Sequence, residues 1–289
     1  MSRTRRAGWT GRFRVPMWLG LLLVVAAGGS EAVAQRQPGA IVIDGSTTVG
    51  PLAKALAEHF MSLHRDVNVT VSESGSGNGA KSLIHGTCDI ADMSRFMKPE
   101  EFRAAVERGV LPVAHVVALD GIAVIVHPAN PLAGITPAQL HDVYVGKITN
   151  WKALGGPDRA IVVVSRDTNS GTYETFDQLV MKSAKMAGSI EYLGSNGAIR
   201  QKVQGTPAAI GYLGLGFADR TVKMLAVDGI EATPEAVVDG SYPIARPLFM
   251  FTDGYPKAGG TLHEFVTLYL TPQGQELITA IGFVPVTRY

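Results

Sequence analysis

Val67-Asn68-Val69-Thr70-Val71-Ser72-Glu73-Ser74-Gly75-Ser76-Gly77-Asn78-Gly79-Ala80-Lys81-Ser82-Leu83-Ile84-His85 is the stretch from which the rest of the chain can be read. Residues 67–71 alternate apolar and polar, the period of a half-buried strand, and Ala80, Leu83 and Ile84 fall at helical spacing. Between strand and helix lies a Ser/Gly turn. Glycines there let backbone approach a ligand closely, while unpaired amides, hydroxyls and the positive end of the helix dipole favour an anion. Such turns also cap ordinary helices. Nucleotide motifs are absent: Ala80 separates Gly79 from Lys81 and breaks the P-loop, and Gly75, Gly77 and Gly79 miss the spacing of the dinucleotide fingerprint.

The same unit recurs on both sides. Upstream, Ile41-Val42-Ile43 reads as a buried strand, followed by Asp44-Gly45-Ser46-Thr47-Thr48-Val49-Gly50 and a helix with Pro51 in its first turn and Leu52, Leu56 and Phe60 on one face. Downstream, Ile161-Val162-Val163-Val164 delivers Ser165-Arg166-Asp167-Thr168-Asn169-Ser170-Gly171-Thr172, and Tyr173, Phe176, Leu179 and Val180 continue with helical spacing. Arg166 adds a rigid donor fork that matches two oxygens of a tetrahedral anion; an ion pair with Asp167 is its structural alternative. Three hydroxyl-rich helix starts in one chain point to convergence on one oxyanion.

The other segments fit alternating strands and helices, which argues an α/β fold with a largely parallel sheet. Residues 88–95 read as a short strand ending in Ser94-Arg95, and Phe102, Ala105 and Val106 resume helical spacing. Residues 113–119 and 122–126 are apolar runs joined by Asp120-Gly121, a link that suits a tight hairpin or one strand crossing between two domains. Helices are expected at 137–145, after Gly194, around Leu262–Leu270 and from Pro272, with strands at 209–214 and 247–252.

The chain has 289 residues. Arg3, Arg5, Arg6, Arg12 and Arg14 precede an eleven-residue apolar run, 17–27, and Ala32-Val33-Ala34 supplies small residues for a signal peptidase. That run is shorter than the roughly 20 residues a membrane span needs, so residues 1–34 are expected to be a cleaved secretory signal, an uncleaved anchor being the alternative. Without it the chain carries 21 basic and 24 acidic residues, a balance that excludes a nucleic-acid partner read from charge. Cys88 is the single cysteine, so no intramolecular disulfide forms and no cysteine near residue 34 carries a lipid. The expected location is the periplasm, in free solution.

Gly45-Ser46-Thr47-Thr48, Gly75-Ser76-Gly77, Gly146-Lys147-Ile148-Thr149-Asn150-Trp151, Ser165-Arg166 with Ser170-Gly171-Thr172, and Ile210-Gly211-Tyr212 together resemble the phosphate-binding proteins of ABC-type phosphate importers. The resemblance spans residues 41–286. It implies a two-lobed periplasmic binding protein with its ligand in the interdomain cleft. One lobe would combine residues 35–119 and 249–289, the other 120–248. It also implies a monomer without cofactor, metal or catalytic residues, whose partners are inorganic phosphate and the membrane permease subunits of the importer. The expected phosphate ligands are Ser46, Thr47, Thr48, Ser76, Gly77, Ser94, Arg95, Arg166, Ser170, Gly171 and Thr172.

Some members of that family have, where this chain has Ser94-Arg95, an aspartate that accepts the proton of phosphate; Asp44, Asp92 and Asp167 are the substitutes the sequence offers. Sulfate brings no such proton, so phosphate over other oxyanions hangs on that acceptor. A secreted phosphohydrolase and an extracytoplasmic phosphate sensor are the alternatives on the same site. The hydrolase lacks a G-x-S-x-G elbow and an H-E-x-x-H pair.

Overall fold

The computed structural model describes residues 39–287; the expected signal segment lies outside them. In chain order the elements are β1 (Ala40–Gly45), α1 (Gly50–Leu63), β2 (Asn68–Ser72), α2 (Ser76–Ile84), β3 (Ile90–Met93), α3 (Pro99–Glu107), β4 (Pro112–Val126), β5 (Gly134–Ile135), α4 (Pro137–Tyr144), β6 (Val162–Arg166), α5 (Gly171–Phe176), β7 (Glu191–Leu193), α6 (Asn196–Gln204), β8 (Ala209–Gly214), β9 (Lys223–Val227), α7 (Pro234–Val238), β10 (Ala245–Asp253), α8 (Thr261–Thr267) and α9 (Pro272–Ala280). Strands alternate with helices, as the periodicities require.

The strands run in the order β2-β1-β3-β10-β4-β8-β6-β7. β1 is parallel to β2 and β3, and β6 is parallel to β7 and β8. β10 and β4 are antiparallel to their neighbours and join the two parallel halves. Asp120-Gly121 therefore makes no hairpin. β4 is one fifteen-residue strand, whose first part pairs with β10 and whose last part, Ile122 to Val126, pairs with β8 and β9. Those last five side chains are fully buried, so covering elements on both faces replace the polar turn that a hairpin would need.

Two lobes result, each with its own apolar core. In one, Leu52, Leu56 and Phe60 of α1 pack with Ile41, Ile43, Ile90 and α8 residues on one face of the sheet, while Leu83, Ala105, Met93 and Phe251 fill the other. The second lobe packs Val124, Val164, Ile199, Ile210 and Tyr212 against Tyr144, Trp151 and Phe176. Trp151, part of the motif that carries the resemblance, is wholly buried and donates its indole N–H to Ala208 O at 2.9 Å. Its role is packing.

Strand order 2-1-3 makes the loops after β1 and β3 leave the sheet in opposite directions, the switch point where α/β sheets hold ligands at the carboxyl ends of their strands. The loop after β6 reaches the same place from the other lobe.

Candidate functional site

Four loops converge there. Gly45 to Val49 follows β1, and its Ser46 N–H donates to Asp92 O at 2.8 Å. Ser46 Oγ accepts from the amides of Thr48 (3.1 Å) and Val49 (3.3 Å), so this hydroxyl holds the turn that leads into α1. Ser170 does the same for α5, accepting from Thr172 N and Tyr173 N. Both serines are buried and shape the loops that carry their neighbours.

Contacts between lobes place the remaining residues. Thr48 Oγ1 and Thr172 Oγ1 are 2.9 Å apart, Arg166 Nη2 donates to Thr47 Oγ1 at 3.0 Å, and Gly77 N–H donates to Asn169 O at 3.1 Å. Ser76 Oγ lies 3.3 Å from Ser94 Oγ and accepts from Ser94 N at 3.1 Å. A side chain at position 171 would put Cβ 2.6 Å from Ser94 Oγ and 2.7 Å from Ser76 Oγ. Only glycine lets these three loops close on one another.

Arg166 supplies the charge. Its side chain is 1% exposed, Nε donates to Leu193 O, and Nη2 donates to Gly194 O as well as to Thr47. Among the described residues Nη1 is buried without a hydrogen-bond partner. Asp167, the alternative ion-pair partner, keeps its Oδ2 3.9 Å away and is itself half-exposed. Burial without a close carboxylate lowers the guanidinium pKa to about 10. An unpaired buried cation is costly unless an anion arrives.

Arg95 departs from the expectation. Its Nη1 and Nη2 each donate to Glu101 at 2.7 Å, Nη1 also meets Phe96 O, and Nε lies 2.7 Å from Glu174 Oε2. Two carboxylates take up this guanidinium, which leaves no charge for an anion. Glu174 stands on α5 and also meets Lys98 at 3.1 Å, so the cluster ties the two lobes beside the site.

Of the three aspartates weighed as acceptors, Asp44 is spent on Ser74 (2.7 Å) and Ser82 (2.5 Å), and Asp167 accepts from Asn169 N. Asp92 differs. Both its carboxyl oxygens are buried with no partner among the described residues, and it precedes Ser94 by two residues at the end of β3. Burial, then Asp44 and Glu73, push its pKa well above the usual 3.8.

Three site residues escaped the sequence reading. Arg246 on β10 lies opposite Asp120 on β4, bonded to its Oδ2 through Nε (3.2 Å) and Nη2 (2.9 Å), and Asn196 donates to Thr48 Oγ1 at 2.9 Å. A charged residue inside the apolar run that leads to Pro247 was the available signal. Nothing marked Asn196 apart from any polar helix start. Elsewhere, a cavity of about 760 Å³ opens on α3 and is lined by Phe96, Met97, Phe102 and Val106, a surface unsuited to an oxyanion.

Comparison with known proteins gives a consistent picture. A family model described as PBP superfamily domain matches residues 32–273. The protein SphX of Synechococcus elongatus is 32% identical, over 92% of this chain and 84% of its own length. The phosphate-binding protein PstS of Bacillus subtilis is 33% identical, over 88% and 83%. Among solved structures, a putative phosphate ABC transporter substrate-binding protein with bound phosphate from Clostridium perfringens superposes with a TM-score of 0.80 at 36% identity, covering 86% of this chain and all of that one. An ABC-type phosphate transport receptor from Vibrio cholerae gives 0.70 at 30%, covering 84% and 99%.

Proposed function

Because the chain belongs to the PstS-like phosphate-binding proteins of the PBP superfamily, we propose that it binds inorganic phosphate between its lobes outside the cytoplasm and delivers it to an ABC importer, without covalent chemistry. The observation that carries this reading is the buried, unpartnered Nη1 of Arg166 among hydroxyls contributed by both lobes. Arg166 is the charged ligand. Thr47, Thr48, Ser76, Ser94, Gly171 and Thr172 line the site, Gly77 supplies backbone, and Ser46 and Ser170 hold the loops in shape; Arg95 is left out.

One guanidinium does not balance a dianion. The first turns of α1 and α2 supply further positive potential, and several charge-assisted hydrogen bonds worth roughly 1.5–3 kcal/mol each suffice for micromolar binding, about 8 kcal/mol. Asp92 is the acceptor we assign to the phosphate proton, since it is the one candidate of the three for which neither oxygen has a partner among the described residues. Residues 35–119 with 249–289 form one lobe and 120–248 the other, and the lobes close about the crossing strands by a hinge motion. The protein acts as a monomer after removal of residues 1–34.

The hydrolase alternative finds less support: the site serines are held by amides and by each other, with no histidine among these bonds to activate them. Titration calorimetry with phosphate, and with arsenate, sulfate and nitrate as competitors, tests the reading beside a phosphoester turnover assay. Saturable one-site phosphate binding without turnover is expected. Turnover abolished by Ser170→Ala, or no phosphate binding at all, overturns it.

A further inference from the structure

Arg246 stands where the lobes join. Asp120 and Arg246 face each other in register on β4 and β10, the strands that pass between the lobes, and the pairing of these strands shifts register two residues further along β10, between Leu248 and Phe249. Both side chains are buried, at 0% and 4% exposure. Asp120 Oδ1 accepts from Leu215 N at 2.9 Å in one lobe. Arg246 Nη1 donates to Ser94 O at 2.9 Å in the other, and Nη2 donates to Thr172 Oγ1 at 2.9 Å. Since Asp120 neutralises it, Arg246 adds no net charge to attract an anion.

Its effect is on protons. A guanidinium and an amide nitrogen donate and cannot accept, so Thr172 Oγ1 accepts from Arg246, and Thr48 Oγ1 accepts from Asn196 Nδ2. The orientation of the Asn196 amide is set by its Oδ1, which accepts from Gly214 N at 3.3 Å. The two threonines then hold two hydroxyl protons. One is used between them, in the 2.9 Å contact; the other meets no acceptor on Arg246 or Asn196 and is left for a ligand oxygen. Whichever threonine donates to its neighbour, the pair presents one donor.

We propose that Arg246, with Asn196 as its counterpart, is a positioning residue that sets the Thr48–Thr172 pair as a hydrogen-bond donor to the bound anion. The inference rests on the phosphate reading of the site. Arg246→Lys keeps the charge beside Asp120 and loses the fork that reaches Ser94 and Thr172 together. Calorimetry with inorganic phosphate on Arg246→Lys, Thr172→Val and the double variant, with thermal melts of each, is the test.

Arg246→Lys is expected to raise the Kd about 10- to 100-fold, and to add less than about twofold in the Thr172→Val background, because it acts through that hydroxyl. A structural role alone would multiply the two effects. An unchanged Kd in Arg246→Lys, or full multiplication, overturns the inference while phosphate binding by the parent protein stands; failure of the parent to bind phosphate sinks the site reading instead. Should Arg246→Lys not fold, Asn196→Ala against Thr48→Val gives the same cycle from the other side, with the same non-multiplication expected and full multiplication overturning it.

Discussion

Removing the Arg166 guanidinium by Arg166→Ala separates ligand binding from folding. The side chain is 1% exposed, and among the described residues no carboxylate lies closer than the 3.9 Å contact to Asp167. Truncating one partner of a buried, hydrogen-bonded charge pair costs about 2–5 kcal/mol, which at about 1.4 kcal/mol per decade raises the phosphate Kd roughly 25- to 4,000-fold. Without ligand the accounting differs. The variant loses the bonds to Leu193 O, Gly194 O and Thr47 and sheds an unpaired buried charge, two terms of opposite sign.

Phosphate at 100 times the parental Kd stabilises the parent by about 2.7 kcal/mol, or roughly 5–10 °C in a domain of this size. A variant with a hundredfold weaker Kd gains about 0.4 kcal/mol at the same concentration, close to 1 °C. Calorimetry for Kd and melts with and without phosphate therefore read the two effects apart. Arg166→Lys should lose nearly as much, since an ammonium cannot reproduce a planar fork bonded in three directions. A Kd within twofold of the parent in Arg166→Ala refutes the assignment, and so does an undiminished phosphate-induced shift.

Gly171→Ala would place Cβ 2.6 and 2.7 Å from two serine hydroxyls; overpacking of this kind costs about 1–3 kcal/mol, and a phosphate Kd raised about tenfold or more is expected, with an unaltered Kd counting against the packed three-loop geometry. Glu174→Gln breaks the tie to Arg95 and Lys98 across the lobes without altering the ligand contacts; stopped-flow measurement should show phosphate release faster by about 3- to 30-fold with association nearly unchanged, and an unchanged release rate would show that the cluster does not hold the lobes closed. Asp92→Asn should change how stability depends on pH. The folded-state pKa of Asp92 lies above its ordinary 3.8, so the folded chain holds the proton more tightly than the unfolded one, and the corresponding stability is present below that value and lost as pH rises through the raised pKa. Melts of the unliganded parent should fall, relative to the variant, as the pH rises above 3.8 and through the raised pKa; parallel curves would contradict the burial of an unpaired carboxyl.

The alternation of strands and helices, the three hydroxyl-rich turns and two candidate arginines, Arg95 and Arg166, were legible in the residues alone. These are local properties: residues 67–71 alternate because one face of a strand is buried, and Pro51 and Ser170 sit where helix starts need them. The choice between hairpin and crossing strand at Asp120-Gly121 was made by long-range pairing, because an Asp-Gly pair suits a turn in isolation and is overridden when β10 and β8 flank one continuous strand. Tertiary structure also decided what each charged side chain faces. Arg95 shortly after β3 and Arg166 at the end of β6 both precede a helix, yet one meets Glu101 and Glu174 while the other keeps a nitrogen without a partner among the described residues. Arg246 and Asp120 are 126 residues apart, and no local pattern encodes that a strand from the end of the chain returns beside one from its middle. Electrostatic roles depend on distances of 3–4 Å in space, and these exist only once the strand order is settled.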